Sequence, residues 1–189
     1  MYKKILISTI AIIISVITWC SKTNKFEFSF DNFNWYFYTN TTFIQNNEDL
    51  HWLAMWLLKN NILSIYKEKN ISNNQNTGYI DSIIIIKKHT LNTLDEFVTQ
   101  NIQKIKFEGY SQESDDKNTI TCYNKDTNKN IKINIQTISS KLIQNLKTIF
   151  FVQSFLIYKD KAYIISYSTD NKNERDTFAS NINKLKCQE

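Results

Sequence analysis

Apolar residues along much of this chain fall at every second position, the spacing that places them on one face of a β-strand. Phe26, Phe28 and Phe30 alternate with Glu27 and Ser29, which predicts a half-buried first strand. Asp31 and Asn32 break it, and β structure resumes over 34–38. Strands are also predicted over 62–67 and 79–88; the unbroken run of isoleucines at 83–86 marks the latter as covered on both faces. Ile131, Ile133 and Ile135 alternate with Lys132 and Asn134, so 119–123 and 130–138 form a hairpin around a turn at 124–129. The strongest signal is 149–168, two apolar runs joined by Lys159, Asp160 and Lys161. In its first strand Ile149, Phe151, Phe155 and Ile157 point one way and Phe150, Val152, Leu156 and Tyr158 the other, which places that strand at the centre of a sheet. Residues 142–146 are expected to bridge into it.

Three stretches switch to helical spacing. Asn46 or Asn47 can cap a helix over 50–58, in which Leu50, Leu53, Ala54 and Leu57 form one stripe and Trp52, Met55 and Trp56 a second beside it. Thr93 and Glu96 form a capping box ahead of Leu94, Phe97, Val98, Ile102 and Ile105, and Gly109 can end that helix in the left-handed conformation. After residues 170–173, Phe178, Ala179, Ile182 and Leu185 make the stripe of a closing helix. Together these elements predict an α+β fold, an antiparallel β-sheet flanked by helices on both faces in an α/β/α sandwich. One domain is expected over 26–187, preceded by a tether at 20–25 and an N-terminal signal or membrane anchor at 1–19.

Composition changes the functional picture more than the structural one. The chain has 189 residues with two Gly, no Pro and a formal net charge of +5. Removing Lys3 and Lys4 from +5 leaves +3, and the remaining lysines are scattered rather than clustered. Arg175 alone could make a bidentate contact to phosphate or guanine. Nucleic acid is therefore not an expected partner.

Lys3 and Lys4 precede an apolar run from Ile5 to Trp19 that ends at Cys20, the layout of an export signal. Ile17, Thr18, Trp19 and Cys20 resemble the end of a bacterial lipoprotein signal, whose cysteine carries the lipid. Ile17 and Thr18 match that pattern, whereas Trp19 stands where a small residue is usual. An uncleaved signal anchor or a buried N-terminal helix are the other readings of the stretch. With Cys20 as the lipidation site, Cys122 and Cys187 remain as an even pair that an exported protein could join. Two unrelated thiols, one in a strand and one in an exposed tail, is the alternative.

Catalytic chemistry is sparse. His51 and His89 have no Cys or carboxylate at ligand spacing and no Ser or Cys at a recognisable catalytic spacing, so no metal, cofactor or catalytic residue is assigned. Glu113, Asp115 and Asp116 fall in a polar stretch read as a solvated loop. Trp52 and Trp56 present either a partner or membrane contact face or, on the plainer reading, the packing face of a helix lying on the sheet.

The segments 28–35 (FSFDNFNW), 94–109 with Tyr110, 153–167 and 178–185, taken in order, resemble the PsbP-like fold, which bacterial envelope lipoproteins share. The resemblance implies an antiparallel sheet between helices and a binding or assembly component rather than an enzyme. The expectation is thus a non-enzymatic lipoprotein of the cell envelope, anchored in the membrane, facing outside the cytoplasm and binding an unknown protein or a surface. An exported hydrolase and a lipid or small-ligand carrier are the rival expectations.

Overall fold

A computed structural model describes residues 24–31, 33–39, 41–45, 62–68, 81–124, 127–144 and 146–188. The leader with Cys20 and the predicted helix carrying Trp52 and Trp56 lie outside the described residues. Within them the chain forms β1 (Asn24–Phe30), β2 (Phe33–Thr39), β3 (Phe43–Gln45), β4 (Ile62–Glu68), β5 (Ser82–His89), α1 (Leu94–Phe107), β6 (Ser111–Asn124), β7 (Lys129–Gln144), β8 (Lys147–Tyr158), β9 (Lys161–Thr169), α2 (Lys172–Ile182) and β10 (Lys186–Gln188).

All ten strands belong to one sheet, in the order β1-β2-β10-β6-β7-β8-β9-β5-β4-β3. The sheet curls until its two edges nearly meet. Asn24 Nδ2 on β1 donates to Thr42 Oγ1 beside β3 at 3.0 Å, and the Phe26 ring lies 5.6 Å from Phe43 and 4.8 Å from Tyr66. Neighbouring strands twist relative to one another, so a sheet this wide curls on itself.

Alternation then sorts the side chains. Inward-facing residues from every strand region build one large core: Phe26, Phe28, Phe30, Trp35, Phe37, Ile83, Ile85, Ile120, Ile133, Val152, Leu156, Tyr163, Ile165 and Tyr167 among them. Its middle is a run of aromatic rings, with Trp35 stacked on Phe30 at 4.6 Å and Phe30 on Tyr163 at 3.9 Å. Helix α2 adds Phe178 and Ile182 to this interior, Phe178 lying 4.2 Å from Tyr167 and 5.2 Å from Phe37. Rings at these distances pack against one another in the described interior.

Helix α1 lies on the outer surface and closes a second cluster, Phe97 and Val98 against Ile138, Phe155, Ala162 and Ile164. Its predicted ends form as the local sequence dictates. Thr93 Oγ1 accepts from the Glu96 amide and the Glu96 carboxylate accepts from the Thr93 amide. Gly109 sits at φ +89°, with Gly109 N donating to Lys106 O and Tyr110 N to Ile105 O, a Schellman ending. Strand β8, doubly apolar, stands in the middle of the order and is packed on both faces.

The α/β/α sandwich and the PsbP-like resemblance are both overturned. The molecule is mostly β, one nearly closed barrel-shaped sheet with two helices among the described residues. The physical reason is that a curled sheet covers most of its own inner face, leaving α2 to complete it with Phe178 and Ile182. Two local expectations fail with the sandwich. Glu113, Asp115 and Asp116 are not in a loop but in β6, where Asp115 and Asp116 pair with Ile138 and Thr137 of β7 and Glu113 falls at a register shift. Residues 142–144 do not bridge; they complete β7, in which Gln144 pairs with Lys147 of β8. The polar character of β6 reflects exposure of most of its residues, which hides a strand from any apolar alternation test.

Candidate functional site

The strand directions give the barrel two ends, and its ionisable groups collect at both. At the end where α2 begins, Asp81 precedes β5 and is fully buried. It accepts a hydrogen bond from Tyr167 Oη at 2.6 Å. Burial first, then the Asp81 charge, pushes the Tyr167 phenol well above its ordinary range, so it stays a proton donor. Thr169, also buried, donates to Glu174 Oε2 at 3.4 Å.

Beside it, Arg175 on α2 is 4% exposed. Its guanidinium pairs with Glu113 on β6 and with Asp176 at 2.7 Å and lies 5.2 Å above the Phe150 ring. Lys141 on β7 reaches the other Glu113 oxygen at 2.9 Å. The hydrogen bond from Arg175, followed by that from Lys141, holds the Glu113 carboxyl below the usual glutamate range. The guanidinium and both Glu113 oxygens are engaged within this cluster, which joins α2 to β6 and β7. A carboxyl whose folded pKa is depressed stabilises fully above its unfolded pKa and loses that contribution as pH falls through the folded value. Glu113→Gln is therefore expected to cost about 2 kcal/mol at neutral pH by stranding part of a buried guanidinium. The difference from the parent should begin to shrink as pH falls below the unfolded glutamate value of about 4.3 and be lost only as pH passes through the lower folded value; thermal melts across the acid range check both.

At the opposite end, Asp31 occupies the β1–β2 turn with φ +48°. It accepts from Lys161 Nζ at 2.9 Å and from Tyr163 Oη. Burial opposes its charge, but these two hydrogen bonds outweigh burial and leave Asp31 below the usual aspartate range. Burial, reinforced by Asp31, drives the Tyr163 phenol up. Close by, His89 Nε2 lies 2.8 Å from Asp160 Oδ2, both side chains half exposed or more. A His–carboxylate pair is two-thirds of a nucleophilic triad. Among the described residues, however, no hydrogen bond joins it to a hydroxyl or thiol, and it sits on the surface rather than in a cleft. No described group of three His, Cys, Asp or Glu could hold a metal ion.

On the outside, α1 and the β6–β7 hairpin border an open groove of about 450 Å³, lined in part by Asp95, Lys117, Asn118 and Asn134. Lys117 already pairs with Asp95 at 2.7 Å, and Asn118 Nδ2 donates to Asn183 O at 2.6 Å. The groove's polar groups thus largely satisfy one another.

Of the residues singled out from sequence, the structure joins Cys122 and Cys187. They are registered partners on parallel β6 and β10, their Cα atoms are 4.9 Å apart, and they form a disulfide. Both are buried; Cys187 belongs to a strand, not to an exposed tail. Cys20, Trp52 and Trp56 lie outside the described residues, and no described helix is long and apolar enough to cross a membrane. Sequence reasoning passed over Asp31, Asp81, Tyr163 and Tyr167. It had one usable sign for Arg175, the sole arginine in a lysine-rich chain, since a planar fork is the form of positive charge best suited to a buried pair.

No family model and no curated protein matches this chain. Among solved structures it is similar to a Pseudomonas aeruginosa protein described as one of unknown function and a candidate regulator. The TM-score is 0.42 at 7% identity, over 77% of this chain and 83% of that one. A likeness of that size assigns neither a fold family nor an activity.

Proposed function

We propose that the protein is a non-enzymatic module of the cell envelope, tethered to the membrane through its N-terminal segment at Cys20 and acting outside the cytoplasm by binding a protein or a surface. The observation that carries this reading is the buried Cys122–Cys187 disulfide, because such bonds persist in oxidising compartments and are rare in reducing ones. It is consistent with the leader, which gives the chain a route to such a compartment. The two polar ends support the non-enzymatic part of the reading, since their buried acids, phenols and Arg175 hold one another in fixed pairs.

Mass spectrometry of the protein taken from its own membranes without reductant tests the reading. The expected product begins at Cys20, carries acyl chains and lacks the two thiol hydrogens of Cys122 and Cys187. A molecule with intact Met1 and two free thiols overturns it.

A further inference from the structure

We infer that the outer face of β1, β2, β10 and the adjoining parts of β6 and β7 binds an acidic polysaccharide, a sugar chain bearing carboxylate or phosphate groups. This rests on the envelope reading proposed above and names, of its two kinds of partner, the surface.

Register places the residues concerned on one face. Asn34 faces Gln188 across β2 and β10, and Gln188 faces Tyr123 across β10 and β6, so all three side chains point the same way. Tyr36 and Tyr38 follow Asn34 at the two-residue period of β2, and Lys186 faces Tyr36. Lys25 and Glu27 on β1 face Tyr38 and Tyr36, while Thr121, two before Tyr123, faces Lys132 on β7. Helix α1 covers the outside of the sheet at β7, β8 and β9. No described helix lies over the face built by β1, β2 and β10, where Tyr38 is 49% and Tyr123 43% exposed.

Two features set this face apart from a merely wet one. A strand with one side in the core normally turns polar residues outward, yet β2 turns out two aromatic rings, Tyr36 and Tyr38, 6.2 Å apart. Tyr123 adds a third, two strand spacings or about 10 Å across the sheet. Lys25 lies 4.3 Å over the Tyr36 ring, which leaves Tyr38 and Tyr123 as the rings for a ligand. The second feature is charge. Among the described residues that point outward here, the charged ones are Lys25, Glu27, Lys132 and Lys186. Glu27 accepts from Lys25 at 3.2 Å, whereas Lys132 and Lys186 face Thr121 and Tyr36 and have no acid opposite them. The charges that border the face cancel: Lys117 pairs with Asp95, and Asp31 is taken by Lys161 and Tyr163.

Shape and chemistry select the partner. The outside of a curled sheet is convex and encloses nothing, so it does not suit a small molecule, which needs a concave site; a polymer lying across it does fit. A tyrosine offers an apolar ring with a polar tip, the counterpart of a sugar ring with C–H groups on its face and hydroxyls at its rim. Asn34, Thr121, Asn130 and Gln188 place amides and a hydroxyl between the rings, and the surplus charge of Lys132 and Lys186 answers an acid group on the sugar. Nucleic acid is less well matched, because the sole arginine, the residue suited to bidentate phosphate contacts, is buried against Glu113.

The test uses the full chain, taken from its own membranes in detergent, with labelled polygalacturonate, dextran, poly-L-glutamate and oligothymidylate as probes. Polygalacturonate is expected to bind more tightly than the other three and to be released at raised ionic strength. Tyr38→Ala and Tyr123→Ala should each weaken its binding about fivefold, and Lys132→Gln combined with Lys186→Gln should weaken it while flattening the salt dependence. These positions are exposed, so the variants' melting temperatures should stay within about 3 °C of the parent's. Phe107→Ala on α1 should leave binding unchanged; a loss there places the site elsewhere and overturns the face. Dextran or poly-L-glutamate bound as tightly as polygalacturonate overturns the acidic-sugar assignment, oligothymidylate bound as tightly overturns it in favour of nucleic acid, and binding of none overturns the surface. Mass spectrometry of the same sample keeps the two readings apart. A chain that begins at Cys20, holds its disulfide and binds no polygalacturonate overturns the face and leaves the envelope reading. One with Met1 and two free thiols that does bind it overturns the envelope reading and leaves the face.

Discussion

Trp35→Ala is expected to lower the unfolding free energy by about 3–5 kcal/mol, a large share of the roughly 5–15 kcal/mol typical of a whole domain. Trp35 is 0% exposed, stacks on Phe30 at 4.6 Å, meets Phe33 at 6.0 Å and donates from Nε1 to Phe30 O at 3.4 Å. Removing it opens a void among rigid rings that cannot collapse into the space, so lost transfer energy and cavity cost add. Trp35→Phe should recover most of the loss by restoring a ring, leaving a deficit of about 1 kcal/mol for the missing donor. Urea midpoints of the two variants check this, and a midpoint for Trp35→Ala equal to the parent's would mean that β2 does not close the core.

Removing the disulfide is the second large effect. Cys122 and Cys187 are 65 residues apart, and cross-linking a loop of that length restricts the unfolded chain by about 4 kcal/mol. Cys187→Ala should cost close to that amount, and it should do so unevenly. β10 has three residues and stands between β2 and β6, so it is the ladder connection from the β1–β2 hairpin to β6–β9. With the clamp to β6 gone, hydrogen exchange should quicken first in β1 and β2 while the β7–β8–β9 amides keep their protection. Uniform loss of protection would show that the clamp acts on the unfolded chain alone. Because Cys187 faces Trp35 in the β2–β10 register, the two variants share neighbours, and their effects should not add.

The tertiary structure also explains why the polar cluster around Arg175 was illegible. Glu113, Lys141 and Arg175 lie on β6, β7 and α2, and Glu113 precedes Arg175 by 62 positions. No spacing rule relates residues so far apart, and each reads alone as a solvated charge. Asp81 and Tyr167, 86 positions apart, are hidden in the same way. The helix expected around Trp52 and Trp56, with the two expected after Thr93 and before Leu185, points to helices lying on a sheet, whereas the described core is closed by strands and α2.

What the amino-acid order determined by itself is whatever depends on neighbours along the chain: the inward alternation of Phe26, Phe28 and Phe30, the doubly apolar β8, the capping box at Thr93 and the left-handed ending at Gly109. These follow from side-chain period and from hydrogen bonds between residues a few positions apart. Only the tertiary structure decided that the sheet curls until β1 approaches β3, that three residues near the C-terminus insert as β10, and that Cys122 meets Cys187. Each of those depends on which strands come together after twist has accumulated across ten of them, a property of the whole sheet rather than of any segment.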